Sequence, residues 1–208
     1  MDTASSEPPI LNILGDKIAL GPLRRDLLPV YLRWANDFEV TRTLGLGWRP
    51  TTLEAEEAWY ESAAKGDSGL HFTIYERETL RPIGNTGLHD INLFHRTAEL
   101  GLMIGEKERW GRGYGTEAAR LMLDYGFQGQ GLHNIMARVL ACNTRSLHAL
   151  QKAGFREFGR LRAGFRLGGR VYDLVYLDCL ATEFESPLLG PLLDRLVGSD
   201  LKNPDDRS

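Results

Sequence analysis

Long apolar runs are missing from this chain. No stretch approaches the roughly 18 residues that a membrane-spanning helix needs, and no leader-like pattern opens the sequence. A cytoplasmic protein without a membrane partner is expected. Cysteine is scarce: Cys142 and Cys179 both lie in apolar, strand-like contexts, so reduced, buried thiols are expected rather than a disulfide framework. No cysteine–histidine cluster has ligand spacing, so no metal is expected. Charge of one sign is not in excess either. A formal net charge of −3 and a pI near 6.0 give no general pull toward nucleic acid or anionic membranes. Internal repeats are absent. What remains, 42% hydrophobic and 25% charged over 208 residues, describes one globular domain with chain enough to bury a core.

Glycine, by contrast, is concentrated where it matters. Arg109-Trp110-Gly111-Arg112-Gly113-Tyr114-Gly115-Thr116 alternates glycine three times, then enters an Ala- and Leu-rich run over residues 116–128 that reads as a helix. Removing every second Cβ lets backbone N–H groups converge on a bulky anion. The helix start adds unpaired donors and the positive end of its dipole. Loop and helix together form a pyrophosphate cradle. No lysine follows Gly115, which argues against a P-loop, and the spacing fails the dinucleotide fingerprint. For the loop alone, a plain glycine-rich turn without ligand stays open.

Residues 99–105 read as a strand entering the loop, and residues 133–142 as a second strand. Residues 143–155 read as a helix opened by polar capping residues and closed by Gly154. Earlier in the chain, a strand is expected at 17–22, an amphipathic helix at 25–36, and a helix at 52–65 opened by Thr52. Strands follow at 71–76 and 82–90, joined by a hairpin. A closing antiparallel pair is expected at 156–161 and 170–180. Residues 1–14 are polar and expected to be flexible. The domain then occupies residues 15–180, followed by a tail at 181–208 with an amphipathic piece at 187–197. Arg156, Arg160, Arg162, Arg166 and Arg170 cluster in sequence; a solvated face is the ordinary role of such a run.

The order strand, anion loop, helix, strand, Asn-led helix, Gly-Phe resembles the GNAT acetyltransferase superfamily. The matching pieces are GLMIG, RWGRGYGTEA, the N-x-x-S-x-x-x-x-x-K-x-G-F run from Asn143 to Phe155, and Gly169-Arg170-Val171-Tyr172-Asp173. Within that superfamily the chain looks most like the Rim-like branch of ribosomal-protein-alanine N-acetyltransferases and small-molecule amine acetylases. The resemblance implies a single-domain α/β (α+β) fold. Its sheet is mixed and mostly antiparallel, of about six to seven strands, splayed at the centre and flanked by helices.

It also implies acetyl-CoA as cosubstrate and no metal. The pantetheine would pair with backbone around Met103 and Ile104. The pyrophosphate would meet the N–H groups of Gly111, Arg112, Gly113, Tyr114, Gly115 and Thr116. Arg112 either adds charge there or faces solvent; Asn143 holds the pantetheine, caps its helix, or does both. The activity implied is acetyl transfer to a primary amine by direct attack in a ternary complex. The acceptor would be a small molecule or a protein N-terminus, and the enzyme a monomer or homodimer.

One departure stands out. Many members carry a tyrosine seven residues after the helix-opening Asn, where it protonates the leaving thiolate; here that residue is Leu150. A non-catalytic acyl-CoA-binding module is therefore the alternative. For catalysis, Ser146 is the nearest hydroxyl to the expected sulfur, a backbone N–H near Met103 the expected oxyanion donor, and Glu99 the preferred base. His89 and Asp90 are rival bases, and pairing with Arg138 is the structural role open to Glu99. The acceptor pocket falls to residues 38–48, 92–96 and 162–172, with Thr41, Arg42, Leu44, Trp48, Phe165, Arg166 and Tyr172 among them.

Overall fold

The computed structural model describes residues 7–45 and 49–199. One eight-stranded sheet runs through it: β1 (Ile13–Leu14), β2 (Ile18–Pro22), β3 (Leu70–Glu76), β4 (Pro82–Asn92), β5 (Thr97–Ile104), β6 (Asn134–Leu140), β7 (Arg156–Leu167) and β8 (Arg170–Leu180), in the order β1-β2-β3-β4-β5-β6-β8-β7. Every neighbouring pair is antiparallel except β5 with β6. That parallel ladder holds three pairs, Thr97↔Asn134, Ala98↔Ile135 and Glu99↔Met136. Beyond it the strands diverge, because each is bonded along its outer edge to another neighbour. β5 follows β4 as far as Gly84↔Ile104, and β6 follows β8 as far as Leu140↔Leu174.

Among the described residues, six α-helices accompany the sheet: α1 (Leu28–Ala35), α2 (Phe38–Thr41), α3 (Leu53–Lys65), α4 (Tyr114–Asp124), α5 (Thr144–Ala153) and α6 (Leu189–Ser199). α1 buries Leu28, Tyr31 and Trp34 in a small core that takes in Met103. The larger core joins α4 and α5, through Ala118, Leu121, Met122, Leu150 and Ala153, to Leu20, Ile74, Leu88, Ile135 and Val175. Local signals set the ends. The Thr52 hydroxyl accepts from the Ala55 N–H at 3.3 Å and opens α3. Asn143 opens α5, and Gly154 (φ 118°) closes it.

Several boundaries differ from the sequence reading. The eighth strand is β1, whose Ile13 is buried inside a segment that composition reads as flexible. β7 runs on to Leu167 through a bulge at residues 162–164, where Ala163 (φ 54°) donates its N–H to Asp173 at 3.0 Å. Its arginines break the apolar alternation that marks a strand. α4 begins at Tyr114 and stays regular to Asp124, giving way to a π turn over Tyr125–Gly129. Cys142 is exposed just past β6. Cys179 is buried, and that burial pushes its thiol up to about 11. No helix among the described residues is long and apolar enough to cross a membrane.

The tail docks through one buried carboxylate. Asp124 accepts from the Leu188 and Leu189 N–H groups at 3.1 and 2.9 Å and from the Ser186 hydroxyl. It thus ties the start of α6 to the end of α4. Asp124→Ala leaves these donors unmatched and is expected to cost about 2–3 kcal/mol. Urea unfolding of the two proteins measures that loss, and limited proteolysis should find the tail cleaved first.

Candidate active site

Gly111 and Gly113 take φ values of 76° and 89°, a left-handed conformation that other residues adopt only at a cost. Gly113 is the N-cap of α4, and no side chain caps the helix. The Glu117 N–H is the first to bond within it, to the Gly113 carbonyl at 3.0 Å. The N–H groups of Tyr114, Gly115 and Thr116 therefore lack an acceptor in the helix. Gly115 serves differently: a Cβ there would stand 3.8 Å from Leu102 and 3.9 Å from Ile104, over the space between loop and strand.

This loop is pinned from behind. At the end of β3, Glu76 accepts from the Tyr114 hydroxyl at 2.6 Å, Thr79 at 2.7 Å and Arg109 at 2.9 Å. The Tyr114 and Thr79 hydrogen bonds, with the charge of Arg109, hold its carboxyl below the usual carboxylate range. Glu117 accepts from the backbone N–H of Lys17 at 3.0 Å, and the Lys17 ammonium donates to the Arg112 carbonyl at 3.2 Å. Both ends of the glycine run are thereby fixed.

In front of the loop lies a cleft of about 470 Å³. One wall is Leu102–Ile104 of β5, the floor is the loop and the α4 start, and the other wall is the first turns of α5. Met103, Ile104, Gly111, Gly113, Tyr114, Gly115, Thr116, Asn143 and Ser146 all line it. Arg112 does not, and its backbone carbonyl is held by Lys17. The backbone expectation also shifts by one residue. Gly105 donates to Ile83, and the register pairs Asn85 with Met103. By antiparallel alternation the Met103 N–H and C=O face β4, while those of Leu102 and Ile104 face the cleft. Trp110 already donates its indole N–H to the Ile104 carbonyl at 2.8 Å.

Asn143 caps α5, its Oδ1 accepting from the Ser146 N–H at 3.2 Å. Its amide also donates to the Thr43 hydroxyl at 2.9 Å, tying α5 to the loop after α2. The Ser146 side chain has no hydrogen-bond partner among the described residues. Leu150 is buried in the larger core. Thr43, Arg145, His148 and Lys152 line the cleft and were not singled out as binding residues by sequence. For the last three, the signal was their i, i+3, i+7 spacing on the Asn-led helix.

Glu99 stands apart from the cleft lining, on the last pair of the β5–β6 ladder. It is buried and accepts from the Arg138 Nε at 2.6 Å. His89 lies opposite it in the β4–β5 ladder and contacts Asp90 at 3.2 Å. One ligand-type atom from each of His89, Asp90 and Glu99 falls within 4.8 Å of the others. Of the expected acceptor segments, the β7–β8 hairpin approaches the loop after α2: a Cβ on Gly45 would stand 3.9 Å from the Phe165 ring. In residues 92–96, Leu93 and Phe94 point to solvent. Trp48 lies outside the described residues.

The family model of the acetyltransferase (GNAT) domain matches residues 17–156. The N-acetyltransferase p20 of Bacillus licheniformis is 34% identical over 113 residues, 54% of this chain and 63% of that protein. The spermidine N(1)-acetyltransferase of Escherichia coli (strain K12) is 30% identical over 162 residues, 76% of this chain and 83% of that protein. Among solved structures, the spermidine N-acetyltransferase from Vibrio cholerae in complex with CoA and spermine matches with a TM-score of 0.75 at 24% identity. That match covers 81% of this chain and 98% of the other.

Gly113→Ala is expected to destabilise the fold by about 1 kcal/mol or more, since alanine resists φ near 89°. Gly115→Ala, whose Cβ meets only ordinary contacts, should leave the urea midpoint unchanged within error.

Proposed function

The chain belongs to the GNAT acetyltransferases, enzymes that move the acetyl group of acetyl-CoA to a primary amine, and we propose that its acceptor is a small cationic amine attacking at the apex of the β5–β6 cleft. One observation carries this reading: the N–H cradle and the open edge of β5 share one cleft, and along that edge the β5–β6 ladder closes at Glu99↔Met136. A cosubstrate with its pyrophosphate on the cradle runs along Leu102 and Ile104 as an added strand would. Its thioester then arrives where β5 and β6 part.

The chemistry follows from those positions. The neutral amine attacks the thioester carbonyl carbon, and the C–S bond breaks from a tetrahedral oxyanion. The cleft-facing N–H of Leu102 stabilises that oxyanion, a contribution typically worth about 2.7–4 kcal/mol. Glu99, paired with Arg138, takes the amine proton through water. The Ser146 hydroxyl, without a hydrogen-bond partner among the described residues, relays a proton from water to the thiolate. Leu150 supplies no proton, and a thiolate leaves well without one.

The acceptor class rests on the charge at the apex. Asp90 and Glu99 carry two negative charges against the one positive charge of Arg138, which favours an ammonium-bearing molecule. Relatives named as spermidine acetyltransferases support a small amine. The RWGRGYG loop supports the Rim-like branch, whose acceptors include protein N-termini.

Calorimetric titration with acetyl-CoA, followed by CoA-release assays on spermidine, aminosugars and N-terminal peptides, tests the reading. Turnover on small amines is expected; turnover confined to peptides would move the acceptor to protein N-termini. Glu99→Gln should lower kcat by about 10²-fold or more with acetyl-CoA affinity within about twofold. Unchanged kcat would reduce Glu99 to a structural partner of Arg138.

A further inference from the structure

Arg145, His148, Ala149 and Lys152 recur at i, i+3, i+4 and i+7 of α5, and all four line the cleft. One face of the helix is therefore turned toward the cradle. The cations on that face form no ion pair. Neither Arg145 nor Lys152 has a carboxylate partner among the described residues. Arg109, also on the cleft, is paired with Glu76, and nearby Arg42 with Glu39.

Arg145 is nevertheless held in place. Its guanidinium lies 3.8 Å from the centre of the Trp110 ring, and Trp110 is fixed in turn by the Ile104 carbonyl. Burial, and then repulsion from Arg42, hold its pKa below the usual arginine value, against a weaker pull from Glu39. A positioned, partly desolvated cation with no carboxylate in ion-pair contact is what an anion-binding wall requires. The backbone cradle matches a pyrophosphate by itself, and seven residues of helix separate Arg145 from Lys152 by about 10 Å. The α5 face thus reaches beyond the span of one phosphate. Acetyl-CoA carries one more anionic group, on its ribose.

We propose that Arg145, stacked on Trp110, and Lys152 form a second anion subsite on α5 that takes the ribose 3′-phosphate of acetyl-CoA, separate from the backbone cradle for its pyrophosphate. This rests on acetyl-CoA being the cosubstrate.

The test is calorimetric titration of acetyl-CoA and of its 3′-dephospho analogue against the unmodified protein and the double variant Arg145→Gln/Lys152→Gln. The unmodified protein should bind acetyl-CoA about tenfold or more tighter than the analogue. The double variant should lose that preference while binding the analogue within about twofold of the unmodified protein, which also shows that it folds. An equal loss for both ligands would overturn the assignment, placing the cations on the pyrophosphate or in the fold. A preference that survives the substitutions would overturn it too, leaving solvated side chains. Failure of the unmodified protein to bind either ligand would instead overturn the cosubstrate reading on which the subsite depends.

Discussion

The site depends on where hydrogen bonding between two neighbouring parallel strands stops. β5 and β6 share three register pairs and no more, because each is committed on its other side to an antiparallel partner leading it away. The inner edges past Glu99↔Met136 therefore keep unmatched polar backbone groups facing each other across a wedge. Buried backbone donors and acceptors are costly to leave unpaired, so such a wedge favours a ligand that is itself strand-like. Helices α4 and α5 flank the wedge, one contributing N–H donors and the other polar and cationic side chains.

Around this wedge, rigidity is concentrated at the anion end. Glu76 and Glu117 tie the glycine loop and the α4 start to β2 and β3, far away in sequence. Trp110 ties the loop to β5. Such a loop keeps its N–H groups aimed before any ligand arrives, which lowers the ordering cost of binding. Toward the acceptor, contacts are fewer: the Asn143–Thr43 hydrogen bond and the approach of Phe165 to Gly45 join α5 and the β7–β8 hairpin to the loop after α2.

Much of this was legible in the sequence because the signals are local. Alternating glycines before a helix, Asn143 and Thr52 as caps, and Gly154 as a stop are each decided by a few adjacent residues. What escaped depends on distant partners. Nothing near Glu76 marks it as the anchor of a loop more than 30 residues away, and nothing near Asp124 marks it as the cap of the tail. Arg112 sits in the motif yet is not among the residues lining the cleft, since the alternation of a turn does not fix side-chain direction. Met103 gave way to Leu102 because the side of a strand that stays open is set by the register with its neighbour. Acceptor chemistry was least legible, for the segments expected to form its pocket lie far apart in the sequence.

Amide hydrogen exchange on the open edge of β5, with and without acetyl-CoA, tests the central claim most directly. Binding along that edge predicts slowed exchange at the Leu102 N–H, with Met103, already bonded to β4, unaffected. Unchanged exchange at Leu102 under saturating acetyl-CoA would contradict the account, because the cosubstrate would then not lie between β5 and β6.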